Sequence, residues 1–184
     1  SDGDVSAQIF HDRFNADLAN GLGNLVSRTT AMVERYFGGR VPDPSPAGVS
    51  EGTVREAAAR ALREHDSAAA RLRFDDALAA AFSLVGAANK HYTRTQPWQL
   101  AREPARRSEL GAALYAGCES LRLLAYLLWP YLPATAERIA EQLSSPSPST
   151  CRWDEVAKWG LLRAGTEVRP GPALFPRLEP NKVA

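Results

Sequence analysis

The strongest constraint on this chain is a run of side chains spaced four and three apart: Phe10, Phe14, Leu18, Leu22, Leu25, Thr29, Met32 and Tyr36. This is the period of one face of an α-helix, and a strand cannot present these residues together. Ser6 suits the N-cap of such a helix, and Gly38-Gly39 suits its end. Gly21 and Gly23 fall within the run and cost a helix about 1 kcal/mol each relative to alanine. A bend or a close packing contact is therefore expected there.

Further helical patterns follow, each closed by proline or glycine. Asp43-Pro44-Ser45-Pro46 reads as a rigid connection, after which Thr53-Val54-Arg55-Glu56 has capping-box spacing and opens an Ala/Arg-rich helix to about Asp66. A third helix runs from about Phe74 to Thr93 with Leu78, Phe82 and Val85 on its core face. The Thr95-Gln96-Pro97 turn interrupts it, and Pro97 suits the first position of a short helix beginning at Trp98. The pattern from about Arg107 to Trp129 buries Leu110, Leu114, Leu121, Leu124 and Leu128 and stops at Pro130. Pro133 starts the next helix, which carries Ile139 and Leu143 to a Ser/Pro linker, Ser144 to Thr150. Beyond it Trp153, Trp159 and Phe175 stand among Gly and Pro, as expected of an irregular tail tethered by aromatics. The fold class is all-α: a helical bundle, residues 1–143, with linker and docked C-terminal tail, residues 144–184, in a single domain of 184 residues.

Several classes of function are excluded by what the sequence lacks. The longest apolar stretch, Leu123 to Pro133, is shorter than the roughly 20 residues a membrane-spanning helix needs, and the acidic start Ser1-Asp2-Gly3-Asp4 is unlike a secretion signal. Two cysteines, Cys118 and Cys151, cannot build a four-thiolate zinc site, and they suit a reducing, cytoplasmic compartment. His11, His65 and His91 are too scattered for a metal-ligand pair, so no metal is expected. Neither Gly21-Leu22-Gly23 nor Gly38-Gly39 follows a strand, which a phosphate-binding loop requires. Cys118 lies in an amphipathic helix without an identifiable base and reads as a core thiol; Asp75-Asp76 reads as a helix-start pair. No catalytic residue is expected.

Two features carry more chemistry. Asn20, Asn24 and Arg28 are spaced four apart on the first helix, and a guanidinium beside a carboxamide can read the edge of an unpaired base. A solvated helix face would have the same spacing. Trp98 stands in a basic stretch, residues 90–107, where Lys90, Arg94, Arg102, Arg106 and Arg107 face Glu103 alone, although the net charge of the chain is only +1. A tryptophan there suits core packing or base stacking, and the cations suit phosphate. Of 22 basic residues only Lys90, Lys158 and Lys182 are lysine, a bias typical of GC-rich bacterial genomes.

The segment Asn15-Ala16-Asp17-Leu18-Ala19-Asn20-Gly21-Leu22-Gly23-Asn24-Leu25-Val26-Ser27-Arg28-Thr29 resembles the opening of the anticodon-binding domain of methionyl-tRNA synthetases. Ala88-Asn89-Lys90-His91-Tyr92 with Gln96-Pro97-Trp98-Gln99-Leu100-Ala101 resembles that family's second signature. Leu127-Leu128-Trp129-Pro130-Tyr131-Leu132-Pro133-Ala134-Thr135-Ala136 resembles its third, and Leu174-Phe175-Pro176-Arg177-Leu178-Glu179 the segment closing its core. The four blocks stand in the family's order and span nearly the whole chain.

The resemblance implies the helical domain of a class I aminoacyl-tRNA synthetase that binds the CAU anticodon loop of methionine tRNA. It implies that Asn24 and Arg28 contact the first anticodon base, a cytosine, and that Trp98 stacks on an anticodon base. Asn15, Asp17 and Asn20 are then structural polar groups of the first helix. Lys90, Arg94, Arg102, Arg106 and Arg107 remain candidates for phosphate. Thr93, Arg94 and Thr95 stand where the family usually has acids, so Arg94 could add phosphate affinity instead of a salt bridge.

The family's catalytic Rossmann domain would precede Ser1, and Asp2-Gly3-Asp4 resembles the connection just after it. The chain is thus expected to be a C-terminal piece of an ATP-using ligase, a monomer with no cofactor of its own. Any ATP or zinc would be held by the catalytic part. The alternatives are a stand-alone helical adapter and the anticodon domain of another class I synthetase, the latter opposed by the Asn24, Arg28 and Trp98 trio.

Overall fold

The structure, a computed structural model, describes residues 7–44 and 52–178. The expected Ser6 cap, the Asp2-Gly3-Asp4 connection, Ser45-Pro46 of the rigid connection and Glu179 lie outside these residues.

The first helical run is unbroken along the sequence but changes its winding. It begins as α1, Ala7–Arg13, widens into a π-helix over Phe14–Gly23, and continues as α2, Asn24–Phe37. Gly21 and Gly23 stand at the end of the π-helical segment, which closes at Gly23. Both glycines are also closely packed: a Cβ on Gly23 would lie 3.1 Å from the Leu18 carbonyl oxygen and 3.5 Å from the Phe175 ring, and one on Gly21 would lie 3.3 Å from the Ala16 carbonyl oxygen. The Gly21 carbonyl accepts from the Asn89 amide at 3.1 Å. Gly38, at φ 60°, ends α2 in the left-handed conformation that favours glycine.

Helix α3 spans Gly52–Ala69, α4 Phe74–Thr95 and α5 Pro97–Leu100. Thr53 lies inside α3 rather than ahead of it, so the expected capping box is not the local device; the Thr53 hydroxyl accepts from Arg94 at 3.1 Å. Gln96, at φ 45°, turns the chain between α4 and α5, and Pro97 takes the first position of α5. Asp75 and Asp76 stand in the first turn of α4, Asp76 paired with Arg73.

A 3-10 turn, Pro104–Arg106, leads into α6, Arg107–Leu128, followed by α7, Pro133–Gln142, and the short α8, Trp153–Val156. The leucine spacing predicts one apolar face for α6, yet every residue from Leu110 to Leu128 is buried. It is the central rod of the bundle, packed against α2, α3, α4, α5 and α7. Cys118 is fully buried there, where burial and then the Glu119 carboxylate push its thiol up to about 12.

The tail is held by more than aromatics. Leu162, Val168 and Leu174 are buried, and Trp153, Trp159 and Phe175 pack against the core. Arg40 and Glu167 form an isolated antiparallel bridge, with Val41 donating to the Thr166 carbonyl at 2.9 Å. Asn15 clamps the far end, its side chain bonding both the amide and the carbonyl of Leu178 at 3.0 and 2.9 Å. Among the described residues no helix is long and apolar enough to cross a membrane.

Candidate anticodon interface

The turn at Gln96 folds α5 back beside α2, and this brings the sequence's two polar features together. The Arg28 guanidinium carbon lies 5.4 Å from the centre of the Trp98 ring and 5.6 Å from that of Tyr92. Both distances are within cation–π range. Arg28 and Trp98 are half-buried, and Asn24, one turn earlier on α2, is exposed. Among the described residues Arg28 makes no hydrogen bond or ion pair, so ring faces hold its charge while its N–H donors stay free.

Tyr92 is the residue that pattern reading passed over. It is fully buried, and its hydroxyl lies 2.9 Å from that of Thr29. Burial raises its phenol far above the usual range, which keeps it protonated. The hydroxyl reaches over Gly117 of α6, where any β-carbon would overlap it. A lone glycine in the apolar centre of a helix was the sequence signal for this notch.

Asn20 is exposed within the π-helical segment and shares a groove with Asn24 and Ser27. The opposite wall comes from the tail: Phe175, Pro176 and Arg177. Asn15 clamps the tail, and Asp17 pairs at the surface with Arg13 at 3.5 Å.

The basic stretch divides. Lys90, Arg94 and Arg102 are exposed, Arg94 with the bond to Thr53 already described. Arg106 is gripped by Glu109 through two hydrogen bonds, of 3.0 and 2.8 Å, with Glu103 at 3.6 Å. Arg107 lies 4.6 Å over the Phe37 ring and donates to the Tyr36 carbonyl at 3.4 Å. Phe37 is nine residues beyond Arg28, or roughly 13 Å along α2. The structure therefore does not gather Arg106 and Arg107 at the Arg28 cluster. Glu109, two residues beyond the basic stretch, neutralises part of the charge excess read from it.

Among the described residues no three His, Cys, Asp or Glu side chains are placed to hold a metal ion. His65 and His91 are buried, and burial lowers both; His91 falls to about 4, with its Nε2 facing the Ala113 carbonyl at 3.3 Å. The Asn24, Arg28 and Trp98 face presents a carboxamide and a forked cation one turn apart on α2, with an aromatic plane 5.4 Å from the cation.

Known proteins of one family resemble this chain. The family described as the anticodon binding domain of methionyl tRNA ligase matches residues 41–184. The chain is 38% identical over 182 residues to the methionine–tRNA ligase of Caldanaerobacter subterraneus, covering 99% of this chain and 28% of that protein. It is 38% identical over 180 residues to the ligase of Bacillus subtilis, covering 97% and 27%. The fold is similar to the apo crystal structure of Mycobacterium tuberculosis methionyl-tRNA synthetase, with a TM-score of 0.86 and 31% identity over 96% of this chain and 35% of that one. The chain thus spans somewhat over a quarter of the length of these curated relatives.

Proposed function

Because the chain belongs to the anticodon-binding domain family of methionyl-tRNA ligases, we propose that it recognises the CAU anticodon loop of methionine tRNA for a ligase that joins methionine to that tRNA with ATP in the cytoplasm. Catalysis, and any ATP or zinc, belong to a separate catalytic domain, which is the second partner of this one. The domain works as a single monomeric unit: the bundle, residues 1–143, carries Asn24, Arg28 and Trp98, and the linker and tail, residues 144–184, belong to the same unit, with Phe175, Pro176 and Arg177 walling the groove beside Asn24.

The observation that carries this reading is the Arg28 guanidinium held between the Tyr92 and Trp98 rings, with its donors free and Asn24 one turn away. A planar fork and a carboxamide on one face can bond two edges of an unpaired cytosine, and an adjacent indole supplies a plane for stacking. Lys90, Arg94 and Arg102 are the cations nearest in sequence to Trp98 that remain exposed, and they serve the loop's phosphates.

The test is binding of anticodon stem-loops at low salt. A CAU loop should bind more tightly than one with its first base changed. Equal binding of the two loops by the folded chain, together with pyrophosphate exchange dependent on methionine and ATP, would refute recognition and the division of labour together.

A further inference from the structure

We propose that Tyr92 is a positioning residue for anticodon reading: its ring, locked by Thr29 and by the notch at Gly117, holds the Arg28 guanidinium in the orientation that meets the first anticodon base. This rests on the reading of Arg28 given above. The lock can be followed atom by atom. The Thr29 hydroxyl donates to the Leu25 carbonyl at 2.8 Å, which uses its only proton. The proton between Thr29 and Tyr92 at 2.9 Å is then the phenol's, and the phenol points one way only. Gly117 removes the β-carbon that would occupy this space, so the ring reaches full depth in the core with none of its surface exposed.

The other ring against Arg28 is of a different kind. Trp98 is half-buried on a four-residue helix behind a left-handed turn, and it is itself a candidate for stacking on a base. A base that engages Trp98 competes with the cation for that plane. Tyr92 is the plane that stays, and it retains the charge while leaving every N–H free to bond RNA. A hydrogen-bonded acceptor in its place would take one of those donors.

The inference is tested on the 184-residue chain with two stem-loops, CAU and one with an altered first base, the readout being the ratio of their affinities. Tyr92→Phe keeps the ring but loses the bond to Thr29; it should lower the ratio by about twofold, less than loss of the ring does. Tyr92→Leu combined with Gly117→Ala removes the ring and refills the notch. It should melt cooperatively and lose the ratio at least about fivefold by weakening the CAU loop alone, whereas general loosening would weaken both loops. If that pair does not melt cooperatively, Tyr92→Met, a flexible filler of similar reach, takes its place. A folded ring-less variant with an unchanged ratio, or a Phe variant that loses as much as the Leu variant, overturns the role of Tyr92. Arg28→Ala separates the premise: if it leaves the ratio intact, the reading of the site falls, and this inference with it.

Discussion

The Glu119 carboxylate and the Arg122 guanidinium, one turn apart on α6 and both buried, form a two-point ion pair with bonds of 2.6 and 2.9 Å. The same carboxylate accepts the backbone amides of Gly160, Leu161 and Leu162 at 2.7, 3.2 and 3.0 Å, and Arg122 donates to the Val156 carbonyl at 3.1 Å. One charge pair inside the bundle therefore satisfies the backbone at the end of α8 and in the irregular segment that follows it.

Removing half of such a pair leaves a buried charge without a partner, which costs about 3–5 kcal/mol. Glu119→Ala should lower stability by that amount, and limited proteolysis should cut first near residues 156–162. Urea unfolding and mass mapping of the first cleavage check both parts. A first cut within α4, ahead of any in the tail, would contradict the assignment.

How much of this was legible in advance depends on the range of the interaction. The helices rest on local spacing and on Pro and Gly, so Gly38, Pro97 and Pro133 mark ends or starts close to where the structure has them. The π-helix over Phe14–Gly23 has the same apolar residues as an α-helix would; what distinguishes it is contact with Val85, Asn89 and Phe175, remote in sequence. Glu119 and Arg122 were hidden for a like reason, because a charge pair one turn apart reads as solvent-facing until its helix proves central. In the proposed reading face, Arg28 and Trp98 could be named one by one, but their meeting, and Tyr92 beneath, depend on where the Gln96 turn sends α5.

His91 gives a pH dependence of defined sign. Its imidazole is buried and its pKa is lowered to about 4 by desolvation, whereas the unfolded chain titrates near 6.5. Between these values the unfolded state binds the additional proton, so stability is full above about pH 6.5 and is lost as the pH falls toward 4. The full span amounts to about 3 kcal/mol. His65, lowered by the same cause, adds in the same direction. Urea unfolding at pH 7 and pH 4.5 should show a smaller fall for His91→Phe than for the unmodified chain, and an identical fall would remove His91 as a cause.

Two glycines should respond oppositely to alanine. Gly86 lies exposed within α4 with nothing near the position of an added β-carbon, so Gly86→Ala should stabilise by about 1 kcal/mol. Gly23 ends the π-helix, and there a β-carbon meets the Leu18 carbonyl at 3.1 Å, a backbone atom that cannot step aside cheaply. Gly23→Ala should give no gain and should loosen Phe175. Thermal melts of the two variants decide it, and equal stabilisation would mean that the tight packing at Gly23 yields without cost.

On the proposed recognition face, binding to phosphates and binding to bases should separate by experiment. Charge neutralisation is blind to sequence, whereas edge bonding is not. Replacing Lys90, Arg94 or Arg102 by alanine should weaken the CAU loop and the altered loop equally, and each phosphate left without its cation should reduce the salt slope of binding by about 0.7. Arg106→Ala and Arg107→Ala should change binding little, since Glu109 grips Arg106 and Arg107 lies over Phe37, roughly 13 Å along α2 from Arg28. Asn24→Ala and Arg28→Ala should instead abolish the preference between loops, worth about 1–3 kcal/mol by analogy with bidentate base recognition in DNA. Trp98→Ala should cost a similar roughly 1–3 kcal/mol on both loops, because stacking accepts any base. Since Trp98 is half-buried against Arg28, its variant requires a melt alongside the titration. An Arg28→Ala chain that melts normally and still prefers CAU would remove Arg28 as the reader of the first anticodon base.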